Sequence, residues 1–182
     1  MTEEEIYEGC RDGDNAARKE LYVRYAGRLL AVCMRYLADK ETAEDVLHDV
    51  FIKVFGSFGK FKYLGKGSLQ AWLTRVTVNE CIEYLRHDRQ PSVVPIENVA
   101  DDISDFDGDV ECIPEKTLMQ FIGELPVGYR TVFNLFVFER KSHREIASML
   151  GINEKSSSSQ FFRARAMLGK KVNEYLKKME AR

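Results

Sequence analysis

Apolar residues recur at spacings of three and four along most of this chain, which is the period of a helix with one buried face. The repeat is clearest from residue 17 onward, at Leu21, Tyr25, Leu29, Val32, Cys33, Tyr36 and Leu37. It returns over residues 41–55 and 69–86, and three or four shorter helices are predicted over 117–124, 128–138, 143–150 and 155–179. Because no segment alternates apolar and polar residues as a strand does, the predicted fold class is all-α.

A stretch punctuated by prolines separates the helical parts of the chain. Residues 91–116 contain Pro91, Pro95 and Pro114 and show no helical period, which is typical of a linker. We therefore predict two small helical domains, residues 1–90 and residues 117–182, joined by a flexible acidic linker. The second domain has only about 65 residues, near the size at which a single hydrophobic core gives marginal stability. We therefore expect it to be stabilised by a partner.

Charge is distributed unevenly along the 182 residues. The chain has 27 Lys and Arg against 29 Asp and Glu, and its formal charge of −2 by itself argues against nucleic-acid binding. By segment, however, the first domain carries −1, the linker −7 and the second domain +6. The second domain is therefore suited to bind the DNA backbone, with an affinity that falls steeply with salt.

Composition excludes several classes of protein. With 45% hydrophobic and 31% charged residues, the chain is expected to be neither disordered nor membrane-inserted, and its acidic N-terminus shows no secretory signal. Four dispersed cysteines and three dispersed histidines predict no metal site, and reduced cysteines are typical of a cytoplasmic protein. No nucleophile–base pair or phosphate-binding glycine loop is recognisable, so we expect no catalytic residues, no cofactor and no small-molecule substrate.

The most specific local pattern is a helix-turn-helix. Ser142 and Glu145 form a capping box at the start of one helix, and Gly151 supplies the positive φ that ends it. Asn153 can cap the next helix, which in such motifs lies in the DNA major groove. The alternative is a helical hairpin with a solvated basic face. The four serines over residues 156–159 favour a contact role, because serine weakens a purely structural helix.

The helix over residues 41–55 carries an acidic face with an aliphatic residue at its centre. Asp45 and Asp49 lie about 40° apart around the helix, and Ile52 lies in the middle of the same face. Such a face suits docking of a basic partner. The equally weighted alternative is a solvated face with Ile52 covered by another helix of the same domain.

Aromatic residues alternate with lysines in the glycine-bounded segment before the helix over residues 69–86. Phe61, Lys62 and Tyr63 lie at its centre, and exposed aromatic rings beside cations favour unpaired bases. The helix then carries Trp72 and a polar stripe that suits the edge of an opening duplex, formed by Arg75, Asn79, Glu83 and Arg86. The alternatives are loop aromatics that cover the core and a buried Trp with a charged solvent face.

These elements, in this order, resemble a sigma factor of RNA polymerase, and the two-domain layout is similar to the extracytoplasmic-function (ECF) group of the sigma-70 family. Residues 44–51 resemble region 2.2, which docks on the polymerase clamp. Residues 72–79 with 84–86 resemble the end of region 2, which recognises and opens the −10 element. Region 4, which reads the −35 element, is resembled by residues 125–126, 130–133, 145–147 and 163–165 with Leu168.

The resemblance implies a transcription initiation factor that binds core RNA polymerase and directs it to promoters. The alternative is a helix-turn-helix regulator that does not bind polymerase. The implied contacts with the β′ clamp are Asp45, His48, Asp49 and Ile52. Those with the −10 element are Phe61, Lys62, Tyr63, Trp72, Arg75, Asn79 and Arg86. Those with the −35 element are Arg144, Lys155, Ser156, Ser157, Ser158, Ser159, Gln160, Arg163 and Arg165.

Further partners and some departures follow from the same resemblance. The β flap of the polymerase and an anti-sigma factor are expected partners. The family's linker threads toward the basic active-site cleft, so the acidic residues here either mimic a polyanion or form a solvated spacer. His48 stands where the family usually has Gln, Lys155 replaces a Gly, and Ser158 occupies a position that is commonly basic.

Overall fold

A computed structural model of the chain describes residues 1–87 and 113–181, and all regular secondary structure within them is helical. The prediction of an all-α fold is therefore confirmed. The chain divides into two compact units, Met1–Arg89 and Gln90–Arg182. The predicted acidic linker lies almost entirely outside the described residues, and its last two residues already belong to a helix. The linker and domain bounds therefore stay predictions.

Over its described residues 1–87, the N-terminal unit contains four α-helices: α1 (Glu3–Asp12), α2 (Asn15–Leu37), α3 (Lys40–Ser57) and α4 (Ser68–His87). The long helix α2 packs against the other three. Its apolar stripe meets those of α3 and α4 in a core whose fully buried side chains include Leu21, Leu29, Tyr36, Val46, Val50 and Leu73. A single 3-10 turn, Phe58–Lys60, continues from α3 into the loop before α4.

Side-chain caps set the starts of the first three helices. Thr2, Asp14 and Asp39 accept hydrogen bonds from backbone N–H groups in the first turns of α1, α2 and α3. The N–H of Ala38, which takes a left-handed conformation with φ of 59°, donates to the carbonyl of Met34 at the end of α2. The turn between α2 and α3 is therefore tight, and it holds α3 against α2.

The described part of the C-terminal unit, residues 113–181, also contains four helices: α5 (Glu115–Gly123), α6 (Val127–Val137), α7 (His143–Leu150) and α8 (Glu154–Glu180). Helices α5, α6 and α7 each pack against α8. The buried guanidinium of Arg130 donates to the carbonyl oxygens of Gly123 (2.6 Å) and Leu125 (3.2 Å), which closes the turn between α5 and α6. Burial lowers the pKa of Arg130 from its ordinary value.

The helices agree with those predicted from periodicity, apart from one that the periodicity missed. Helix α7 has the predicted bounds, and α3, α4, α6 and α8 differ from prediction by one or two residues at each end. Helix α1 was not predicted, although Thr2 and Glu5 form a capping box at its start. Among the helices of the described ranges, none is both long enough and apolar enough to span a bilayer.

Candidate protein and nucleic-acid interfaces

The acidic face of α3 lies on the surface of the N-terminal unit. Asp45, His48 and Asp49 are exposed, and Ile52 among them retains 62% of its side-chain exposure. The opposite side of the helix is buried, as expected from its period. No helix of this unit covers Ile52, so the alternative in which a neighbouring helix covers it is wrong.

An aromatic side chain on α2 extends the surface near this face. The ring of Tyr22 is half exposed and packs on Phe51 of α3, with ring centroids 4.7 Å apart. The sequence analysis missed Tyr22 because it lies one residue after Leu21, outside the core stripe of α2. Next to Ile52, an ion pair links α3 to α4. Lys53 Nζ lies 2.6 Å from Glu80 Oε2 of α4, and this contact raises the pKa of Lys53.

The loop before α4 has an inner aromatic side and an outer basic side. Phe61 stacks on Trp72, with ring centroids 4.5 Å apart and planes 13° apart, and Tyr63 stacks on Tyr7 at 5.5 Å. Lys62 and Lys66 are exposed, and Leu64 is 79% exposed at the tip of the loop. The aromatic rings of the segment therefore pack against the core, as in the alternative, and its lysines face solvent; base binding by the segment stays a prediction.

The polar stripe of α4 is on the surface, but Trp72 is not part of it. Arg75, Asn79 and Arg86 are exposed along one side of α4. Trp72 is only 9% exposed, because Phe58 packs against its edge at 5.2 Å and Phe61 covers its face. For Trp72 itself the alternative of a buried ring beside a charged solvent face is therefore confirmed, and the residues that bury it come from the preceding turn and loop.

The helix-turn-helix is built by local hydrogen bonds. The N–H of Ser142 donates to Glu145 Oε2 at 2.9 Å, and the N–H of Glu145 donates to Ser142 Oγ at 3.3 Å. The hydrogen bonds from Ser142, with a further one from Lys141, lower the pKa of Glu145. Gly151 ends α7 with φ of 66°, and Asn153 Oδ1 accepts from the N–H of Ser156 at 2.7 Å to begin α8. These contacts set the angle at which α8 leaves the turn.

Residues 155–165, at the start of α8, divide most of the predicted −35 set between two faces. The outer face carries Lys155, Ser158, Ser159 and Arg165, and Arg144 of α7 is also exposed. Phe162, which is 55% exposed, lies on the same outer face as Ser158 and Ser159 because it follows them by one helical turn. The sequence analysis missed Phe162; an apolar residue at a position that ought to be polar was the available signal.

The remaining members of the set, Ser156, Ser157, Gln160 and Arg163, are half-buried or buried. Ser157 is completely buried, and its hydroxyl forms a 3.0 Å hydrogen bond with Nδ1 of His143. Gln160 reaches the start of α6, where its Oε1 would lie 2.9 Å from a Cβ added at Gly128. Arg163 Nη1 donates to the hydroxyl of Tyr129 at 3.2 Å. Ser157 is therefore a correction to the predicted contacts, since in this fold it joins α8 to α7 instead of facing solvent.

Comparison with known proteins identifies the family to which this chain belongs. Residues 21–90 match the sequence model of sigma-70 region 2, and residues 115–168 match that of sigma-70 region 4. The two matches together cover about two thirds of the chain, in the order that the motifs predict. The chain belongs to the sigma-70 family. Its named relatives place this sigma factor in the ECF group, which confirms the resemblance found in the sequence.

Two relatives and one solved structure illustrate the similarity. This sigma factor is 28% identical to the RNA polymerase sigma-H factor of Pseudomonas aeruginosa, over 96% of each chain. It is 27% identical to the ECF RNA polymerase sigma-E factor of Haemophilus influenzae, over 94% of this chain and 96% of the relative. The sigma factor RpoE of Bartonella quintana, solved with the anti-sigma factor NepR, shares the fold with a TM-score of 0.52, 21% identity and coverage of 85% and 96%.

Family membership establishes the general function. This sigma factor is a promoter-specific transcription initiation factor, and it binds core RNA polymerase and promoter DNA. The alternative of a regulator that does not bind polymerase is not favoured. In the described ranges, no group of His, Cys, Asp or Glu side chains is arranged to hold a metal ion.

Proposed function

We propose that the acidic face of α3 is the docking surface for core RNA polymerase. Asp45, Asp49 and Ile52 form its centre, and His48 lies at its side. The observation that carries this proposal is the 62% exposure of Ile52 between exposed carboxylates. An aliphatic side chain surrounded by charge gives a basic partner both an apolar contact and electrostatic complementarity. The β′ clamp is the partner that the family resemblance implies.

We propose that the loop over residues 61–67 and the polar stripe of α4 bind the opened −10 element. Lys62 and the exposed Leu64 meet a displaced base first, and Arg75, Asn79 and Arg86 contact the strand beyond it. Phe61 and Tyr63 take part when a base reaches their exposed edges. Trp72 is proposed to support Phe61 from beneath, because the ring of Phe61 covers the face of Trp72.

Simple energetics indicate that docking and opening must cooperate. Opening five steps of DNA costs about 7 kcal/mol at ~1.4 kcal/mol per step. Stacking on one loop and its neighbours returns about 2–6 kcal/mol at ~1–3 kcal/mol per base. The chain alone therefore does not hold DNA open, and the polymerase recruited through α3 has to contribute the remainder.

We propose that the outer face of α8 reads the −35 element in the major groove. Ser158 and Ser159 can reach base edges, and Lys155, Arg165 and Arg144 suit the phosphate backbone. Phe162 adds an apolar contact of the kind that recognises a thymine methyl group. Ser156, Gln160 and Arg163 are half-buried and are therefore secondary candidates for DNA contact. Ser157 is not proposed as a contact because it is buried.

We infer the remaining properties from the same family membership. The β flap is the proposed polymerase contact of the C-terminal unit, and an anti-sigma factor is the proposed regulator. The complex of RpoE with NepR supports the second of these only by analogy. We propose that the chain acts in the cytoplasm without catalytic activity or cofactor. The acidic residues of the predicted linker are proposed to mimic a polyanion in the polymerase cleft.

The docking proposal is tested by reversing one charge. We expect Asp49→Arg to weaken binding to core polymerase by about tenfold or more, because a like charge then faces the basic partner. Glu8→Arg is the matched control, since it makes the same charge change on exposed α1. Affinity is measured by fluorescence anisotropy with the labelled full chain, followed by promoter transcription in vitro. Equal affinities for the two variants would overturn the proposal.

A further inference from the structure

Helix α4 is capped by a residue from the far end of its unit. The residue before it is Gly67, which has no side chain to offer. Glu3 of α1 fills this role: its carboxylate accepts from the N–H of Gly67 at 2.8 and 3.1 Å and from the N–H of Leu69 at 2.9 Å. A carboxylate at this position satisfies N–H groups that the helix leaves unpaired and interacts favourably with its dipole.

A second residue of α1 fixes the other end of the loop. The hydroxyl of Tyr7 donates to the carbonyl oxygen of Phe61 at 3.2 Å. Its ring meets Phe61 edge-on and stacks on Tyr63, in both cases with centroids 5.5 Å apart. Burial, with Glu3 and Glu4 nearby, raises the pKa of Tyr63. Helix α1 therefore contacts the loop at residues 61, 63 and 67, on the side away from Lys62 and Leu64.

Apart from the stacking of Phe61 on Trp72, the other contacts described for this loop are local. Gly65 and Gly67 have φ of 108° and 89°, conformations that glycine adopts without strain but that it also leaves easily. Ser68 Oγ accepts from the N–H of Leu64 and donates to the carbonyl of Gly65, which links only neighbouring residues. Helix α1 precedes the matched region 2, which begins at residue 21, so the family comparison gives it no role.

We propose that α1 holds the loop over residues 61–67 in the form that captures a displaced promoter base, with Glu3 and Tyr7 as positioning residues that do not themselves contact DNA. The proposal rests on the function proposed for the loop. Its physical basis is preorganisation: a loop held in its binding conformation does not lose that freedom again when the base arrives.

The tether itself is tested in the free protein. The chain has one tryptophan, and Trp72 lies under Phe61 of the loop, so its fluorescence reports loop release. We expect Glu3→Gln to shift Trp72 emission to longer wavelength and to increase its quenching by acrylamide. Glu8→Gln, with the same charge change on an exposed position of α1, is the control and should leave both unchanged. Identical spectra for the two variants would overturn the tether.

The functional step is tested with the variant bound to core polymerase. We expect Glu3→Gln to reduce open-complex formation by about tenfold, as for the loss of a hydrogen bond to a charged group, while core affinity and −35 duplex binding stay unchanged. Abasic sites are then placed one by one along the non-template −10 strand. At the captured base the wild type should lose activity and Glu3→Gln should lose nothing further, because the two changes remove the same interaction.

Two outcomes separate this inference from the proposed function of the loop. If Lys62→Ala reduces opening but Glu3→Gln does not, the loop binds DNA and the positioning role of α1 is wrong. If neither variant has an effect, the function proposed for the loop fails. If the Glu3→Gln defect persists in full at every abasic position, α1 has a general structural role and the positioning proposal is overturned.

Discussion

Helices α7 and α4 begin in opposite ways. Helix α7 is capped by Ser142 and Glu145, three residues apart, so the chain around the turn supplies everything its start needs. Helix α4 begins after a glycine and takes its cap from Glu3, 64 residues earlier than Gly67. The surface proposed to read duplex DNA thus stands on a self-contained motif, whereas the loop proposed to bind single strands depends on a distant helix.

The difference is suited to the two tasks. Duplex DNA presents its groove in a regular form, so a rigid motif with fixed helix angles can read it. A displaced base has no fixed position, and a loop that meets it gains affinity from being held in shape by its surroundings. Loss of a long-range contact should therefore destabilise much of the N-terminal unit, whereas loss of a local cap should destabilise only the helix that it caps.

The largest expected effect is at the base of the loop. Phe58 is buried in the 3-10 turn and contacts the rings of both Tyr7 and Trp72. We expect Phe58→Ala to lower the free energy of unfolding of the N-terminal unit by about 3–5 kcal/mol, through lost burial and a cavity. Urea unfolding followed by far-UV circular dichroism measures it.

Phe58→Leu is the control for this variant, because it keeps most of the apolar volume and should cost clearly less. A change below about 1 kcal/mol for Phe58→Ala would be too small for a buried aromatic residue and would contradict the packing described for the loop.

A smaller and more confined effect is expected at the start of α7. Ser142→Ala removes the hydroxyl that accepts from the N–H of Glu145, so we expect a loss of about 1 kcal/mol. Faster amide exchange should appear in the first turn of α7, with Trp72 emission unchanged. Ser142→Asp, which can cap in the same way, should restore most of the stability. No difference between the two variants would mean that this cap does not stabilise α7.

The same contrast explains which features the sequence predicted. The bounds of α7 were predicted correctly because Ser142, Glu145 and Gly151 determine them locally. The sequence left the burial of Trp72 open, because it depends on rings from the preceding turn and loop, which no helical period encodes. Ser157 was grouped with its neighbours because composition does not show which serine of a run faces inward.

Helix α1 was not predicted, although its start depends on local residues. Its capping box at Thr2 and Glu5 is as visible in the sequence as the one at Ser142, so the start of α1 could be predicted. Its contacts with the loop could not have been predicted, because Glu3 and Gly67 are brought together only by the packing of α1. The motifs in the sequence indicate the proposed polymerase and promoter contacts. Which of these residues are exposed and which are buried is seen only in the structure.

The smallest expected effect concerns a long-range contact within the C-terminal unit. Lys171 of α8 pairs with Glu124 at the end of α5, and hydrogen bonds from Lys171 and Gln120 lower the pKa of Glu124 below its ordinary 4.5. A carboxylate with a lowered pKa stabilises the fold above its unfolded pKa, and this contribution is lost as pH falls through the folded value.

Because the pair is at the surface, Lys171→Met should cost only about 0.5 kcal/mol at pH 7 and low salt. The deficit should shrink below pH 4 and in high salt, as measured by urea unfolding at each condition. A deficit that is independent of both pH and salt would mean that Lys171 acts through the packing of its alkyl chain, and that the ion pair between α5 and α8 contributes nothing to stability.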